Sequence, residues 1–138
     1  MGKLFFSWIL GFFIPYSGSI TAEIQELEKG YAKVLMRDRR RLRNHLSSIH
    51  AAALMNFAEL TSGLAFITGL GPNMQGIVTH FEIDYLKKAR GDLRAESKSD
   101  FIDASGPREC QIEAIIRDSS DDIVARGRAT WSIRPKSK

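Results

Sequence analysis

Asn44 to Gly69 reads NHLSSIHAAALMNFAELTSGLAFITG, and the reading of this stretch decides the fold. From Ala51 to Thr68 almost every residue is apolar or small, so a helix here is hydrophobic on all sides, the pattern of a helix enclosed by other elements. Gly69, Gly71 and Pro72 stop it, by the rule of a glycine past the last turn followed by proline. One residue interrupts the pattern. Glu59 is the only Asp, Glu, Lys or Arg between Asn44 and Phe81, and a lone carboxylate in an apolar helix must be paired, protonated or used.

On either side of this helix the hydrophobic period changes from that of a helix to that of strands. Before it, Ile20, Ala22 and Ile24 alternate with polar neighbours, Glu28-Lys29-Gly30 makes a turn, and alternation resumes from Tyr31 to Met36. After it come four strand-like runs. The first places Ile77, Thr79, Phe81, Ile83 and Tyr85 on one face and ends at Lys87-Lys88-Ala89-Arg90-Gly91. The second sets Leu93, Ala95, Ser97, Ser99 and Phe101 against a wet face of Asp92, Arg94, Glu96, Lys98 and Asp100, and Gly106-Pro107 turns the chain. The third, Glu109 to Arg117, points Cys110, Ile112, Ala114 and Ile116 one way. The loop Asp118 to Asp122 closes a hairpin into the last run, with Ile123, Ala125, Gly127, Ala129, Trp131 and Ile133 inward. The order is two strands, one long buried helix, then four antiparallel strands. This predicts an α+β hotdog fold, an antiparallel sheet of about six strands wrapped around one long central helix.

The chain of 138 residues is large enough for one domain with a core of its own, read here as a hotdog domain over residues 19–138. Its single cysteine, Cys110, excludes an internal disulfide, and no Cys/His cluster has metal-ligand spacing, so no metal is expected and a reducing, cytoplasmic setting fits. Residues 1–18 are read as a short apolar helix that ends at Pro15. The apolar run Leu4 to Ile14 is too short for the ~20 residues of a membrane span, although a membrane-surface contact through residues 4–14 and a signal peptide are alternatives. The net charge of +4 is concentrated in Arg37–Arg43, RDRRRLR, where five residues are arginine. Phosphates on a small ligand would explain this run, its alternative being a solvated turn. Nucleic acid is not expected as a partner, because no aromatic residues are interleaved for stacking.

The segment Asn44-x5-His50-Ala51-Ala52-x6-Glu59 resembles the active-site signature of hotdog-fold acyl-CoA thioesterases of the phenylacetate-pathway type. In that family an Asn, a His, a Gly-Gly pair and an Asp or Glu stand at the same spacing. Phe81 to Asp92 (FEIDYLKKARGD) is similar to the family's strand and turn of the form IDFLRPGxxGD, and Val124 to Trp131 to its final strand, so the likeness spans Ile20 to Ile133. Two positions depart from the pattern. Ala51-Ala52 replaces Gly-Gly and Glu59 stands where this branch has Asp, a combination more similar to uncharacterised hotdog domains. The resemblance implies hydrolysis of acyl-CoA thioesters, with coenzyme A as part of the substrate, no separate cofactor, and Glu59, Asn44 and His50 as catalytic residues.

The chemistry agrees with that implication. Thioester hydrolysis needs donors for a developing oxyanion and a carboxylate that activates water or attacks the carbonyl. The backbone N–H groups of Ala51 and Ala52, in the first helical turn, are expected to supply the donors. Ala51 and Glu59 are eight residues apart, about 12 Å along one helix. One chain therefore cannot bring both to one carbonyl, and a homodimer, or a dimer of dimers, with antiparallel central helices is expected. Asn56 and Ser62, at i−3 and i+3, are expected to hydrogen-bond the Glu59 carboxylate. Lys87, Lys88 and Arg90 are expected at the phosphates of coenzyme A, their alternative being a solvated turn. The competing functions are a non-catalytic acyl-CoA or acyl-lipid binding protein and a hotdog dehydratase or hydratase.

Overall fold

The computed structural model describes residues 20–100 and 108–136. The expected helix at 1–18 and the Gly106-Pro107 turn lie outside these residues. The described chain runs β1 (Glu23–Glu28), β2 (Tyr31–Met36), a 3-10 turn (Arg40–Leu42), α1 (Ala51–Gly69), β3 (Met74–Tyr85), β4 (Leu93–Lys98), β5 (Arg108–Arg117) and β6 (Ile123–Pro135). All strands form one antiparallel sheet of six, in the order β1-β2-β4-β5-β6-β3. The sheet carries α1 on its concave face, which is the hotdog fold that the element order predicts.

Alternation sets the faces as expected. Ala32, Val34, Leu93, Ala95, Ala114, Ile116, Ala125 and Ala129 point at α1 and are buried. Against them lie Leu54, Phe57, Ala58, Leu64 and Ala65 of the helix, with Phe57 wholly enclosed. A second cluster fills the far end of α1, where Phe66 stacks on Trp131 at a ring separation of 4.1 Å. The predicted turn at Gly30 has φ +76°, and a Cβ there would lie 2.3 Å from the Ser99 carbonyl oxygen, so only glycine fits.

Two expectations fail. The first is the single face assigned to Ile77, Thr79, Phe81, Ile83 and Tyr85. A bulge in β3 between Val78 and His80 adds a residue against β6 and reverses the alternation. Met74 therefore faces the core before the bulge and Phe81 and Ile83 pack on it after, while Ile77 is 65% exposed. The second is the enclosure of α1 on all sides. One stripe of the helix, Ala52, Met55, Glu59 and Ile67, is uncovered, with Ile67 61% exposed. A single six-stranded sheet covers only one side of a helix, and the open stripe lies opposite it. The helix has the length and composition of a membrane span, but most of it is enclosed by the sheet.

Candidate active site at the start of the central helix

The start of α1 is held by the loop that precedes it. Asn44 Oδ1 accepts hydrogen bonds from the Leu46 N–H (2.9 Å) and the Ser48 N–H (3.2 Å), and its own N–H donates to the Ser48 carbonyl at 2.7 Å. This is the local backbone bonding to which asparagine is suited. Asn44 therefore shapes the loop, and the catalytic role expected of it finds no support in its side-chain bonds. The His50 N–H donates to the Leu42 carbonyl at 2.7 Å, and the Ile49 N–H to the Ala89 carbonyl at 2.8 Å. These bonds lock the arginine turn, the loop and the connection between β3 and β4 to one another.

His50 is the N-cap, in extended conformation at φ −61°, ψ 140°, and its Nδ1 accepts from the Ala52 N–H at 3.0 Å. An imidazole nitrogen that accepts uses its lone pair, so the neutral ring carries its proton on Nε2 and presents that N–H outward. The same bond corrects the expected oxyanion pair, because the Ala52 N–H is already committed to His50. The Ala51 N–H has no acceptor among the described residues, and it lies at the positive end of the helix dipole. The available donors are thus the Ala51 N–H and His50 Nε2–H.

Tyr85 was not singled out by the sequence. Its hydroxyl donates to the Ala51 carbonyl at 3.1 Å, which ties the end of β3 to the first helical residue, and burial pushes its pKa above the ordinary tyrosine value. No local pattern links a strand residue to a helix start 34 positions away.

Two hollows flank this helix start. The larger, about 340 Å³, is lined by Asn44, Leu46, Ala51, Leu54, Tyr85 and Lys88 among others. The smaller, about 190 Å³, is lined by Arg41, Arg43, His50, Ala52 and Asn56 among others. Glu59 is exposed on the open stripe, two turns further along. The expectation that Ser62 binds its carboxylate is corrected, since the Ser62 hydroxyl donates to the Glu59 backbone carbonyl at 3.0 Å, as hydroxyls within helices do. Asn56 is buried and faces the smaller hollow.

The basic residues expected at phosphates divide. Lys87 Nζ lies 2.6 Å from Asp118 and 2.7 Å from Asp122, and these carboxylates raise its pKa while it lowers that of Asp118. Its charge is spent on the β5–β6 loop, so it is corrected to a structural residue. Arg90 Nη2 reaches the Leu46 carbonyl at 3.5 Å, and Lys88 is exposed at the larger hollow. Among the described residues no cluster of His, Cys, Asp or Glu could hold a metal ion.

Residues 2–133 match the model of a family described as a domain of unknown function, DUF4442. The chain belongs to the DUF4442 family. Among solved structures, this DUF4442 chain is similar to the genomics target APC5556, at 32% identity and a TM-score of 0.88 over 99% of this chain and 92% of that one. A protein of unknown function from Pseudomonas aeruginosa, described as a probable thioesterase, gives 23% identity and a TM-score of 0.84 over 99% and 97%. A hypothetical thioesterase from Streptococcus pneumoniae, solved with coenzyme A, gives 18% and 0.74 over 94% and 99%. These likenesses establish the hotdog fold for the DUF4442 chain. No curated protein matches the sequence.

Proposed function

We propose that this protein is an acyl-CoA thioesterase that works as a homodimer, alone or paired into a dimer of dimers. The observation that carries the proposal is the helix start, where an uncommitted Ala51 N–H and the outward Nε2–H of His50 stand beside two hollows. Two such donors suit the oxygen of a thioester carbonyl as it gains charge. The coenzyme A held by the Streptococcus pneumoniae protein of the same fold, and the probable thioesterase from Pseudomonas aeruginosa, support this ligand class.

Glu59 is the carboxylate of the reaction. About 12 Å of helix separates it from Ala51, so the reacting pair is Ala51 of one subunit and Glu59 of the partner subunit. The open stripe of α1 and the unpaired edge of β3 are the surfaces for that dimer. As general base, Glu59 takes a proton from water, whose oxygen bonds to the acyl carbon. The C–S bond then breaks and the proton leaves with the coenzyme A thiolate. As nucleophile, Glu59 forms an acyl anhydride that water opens to the same products. The unpaired Cys110 thiol accords with a reducing, cytoplasmic setting for this chemistry.

One observation favours a second reading. With the Ala52 N–H occupied and Glu59 exposed, the same site would serve to bind acyl-CoA without turnover. The test is a screen of acyl-CoA esters from acetyl to palmitoyl, with aryl-acetyl esters, on the wild type and Glu59→Gln. Turnover that collapses in the variant while acyl-CoA still binds is the expected result. Binding without turnover in both proteins would establish the second reading, and a strictly monomeric protein would rule out the enzyme.

A further inference from the structure

The arginine run is the charged feature that this mechanism leaves unused. Arg37 pairs with Glu23 at 3.2 Å and Arg43 with Asp38 at 2.8 Å. Arg41 donates to the Thr21 hydroxyl, a neutral partner, and Arg39 and Arg40 have no side-chain partner among the described residues. Three guanidinium charges on one 3-10 turn are therefore uncompensated within this part of the chain, against a net charge of +4 for the whole sequence. Surface arginines are ordinarily interspersed with acids, so such a local excess points to an anionic ligand.

The position of the turn narrows the ligand. The Leu42 carbonyl accepts the His50 N–H, so the turn and the helix start form one rigid unit. The smaller hollow runs between them, with Arg41 and Arg43 on one wall and His50, Ala52 and Asn56 on the other. A ligand seated there has its anionic end on Arg41 and its other end beside His50. Guanidinium groups match phosphate oxygens in a planar, two-pronged geometry, and Arg keeps its charge at any working pH.

We infer that Arg39, Arg40 and Arg41 form the platform for the phosphates of the nucleotide end of coenzyme A, with the smaller hollow leading from Arg41 to His50 at the helix start. The inference rests on the acyl-CoA reading above. It moves the phosphate site from the strand-end lysines, where Lys87 is neutralised by Asp118 and Asp122, to the turn before α1.

The test is calorimetric titration of the full chain with coenzyme A, its 3′-dephospho form and pantetheine, in wild type and in the Arg39→Ala/Arg40→Ala double variant. These side chains touch no described partner, and a thermal melt checks that the variant is folded. Charge-assisted contacts of this kind predict a Kd for coenzyme A raised roughly tenfold to a hundredfold in the variant, and a steep salt dependence in the wild type only. Pantetheine, which lacks the phosphates, binds both proteins alike. Equal coenzyme A affinity in the two proteins overturns the platform while leaving the thioesterase reading intact, and so does an equal loss of pantetheine. A wild type that binds no coenzyme A overturns the acyl-CoA reading and the platform with it. A single-stranded oligonucleotide that displaces coenzyme A and binds more tightly would mark the turn as a nucleic-acid surface instead.

Discussion

Ala51→Pro replaces the N–H of the proposed site with a ring methylene and leaves the rest of the fold little changed. Ala51 is the first residue of α1, a position where proline is favoured because its φ suits the helix and its N–H has no intrahelical partner. The preceding residue must then be extended, and His50 already is, at φ −61°, ψ 140°. Ala51 is exposed, so the ring has room, and its carbonyl remains for the Tyr85 hydroxyl. Folding stability is therefore expected to stay within about 0.5 kcal/mol of the wild type. Loss of one oxyanion donor costs about 10²–10³ in kcat, roughly 3–4 kcal/mol of transition-state stabilisation, with KM little changed. Thiol release from the best acyl-CoA ester measures this directly. The variant also tests the assembly when it is unfolded and refolded with Glu59→Gln in equal amounts. Half of the dimers are then mixed, and each mixed dimer has one site with an intact Ala51 facing an intact Glu59, so activity returns to about a quarter of wild type. An Ala51→Pro protein with full kcat would refute the donor assignment. A mixture no more active than its parents would refute the two-chain site.

Gly30→Ala should destabilise the fold by more than about 2 kcal/mol in urea unfolding, because the left-handed φ of +76° and the approach to the Ser99 carbonyl penalise the new Cβ together. Lys87→Ala should leave coenzyme A affinity unchanged but alter the acid limb of the stability curve. Asp118 has a folded pKa below its unfolded value of ~3.9, so its stabilisation is present above that pH and is lost as pH falls through the folded value. Without Lys87 the folded value moves back toward the unfolded one, so the contribution should be smaller and its loss complete at higher pH, as chemical denaturation across roughly pH 2–6, the range of carboxylate titration, would show. Burial and the neighbouring Glu96 push the Tyr31 hydroxyl up to about 12, so one tyrosine should ionise late in an ultraviolet titration. Tyr31 favours the folded state fully below about 10, and that contribution fades as pH rises through about 12. Glu96→Gln should bring the late step down.

Much of this protein is legible in its sequence because much of it is governed by near neighbours. Alternation marks the buried faces of β2, β4, β5 and β6, since successive side chains on a strand must face opposite ways. Gly30 and the pair Gly71-Pro72 mark the turns, and the spacing of Asn44, His50 and Glu59 places the helix start and its carboxylate. What only the tertiary structure decides depends on groups far apart in the chain. The bulge at Val78–His80 follows from the register of β3 on β6, and it turns Ile77 outward against its own alternation. Lys87 is neutralised by Asp118, 31 residues away, and Ala51 is tied down by Tyr85, 34 residues away. The open stripe of α1 belongs to the same class. Hydrophobicity on all sides says that a helix will be covered, but whether its own sheet or a second chain covers it depends on how far one six-stranded sheet can wrap.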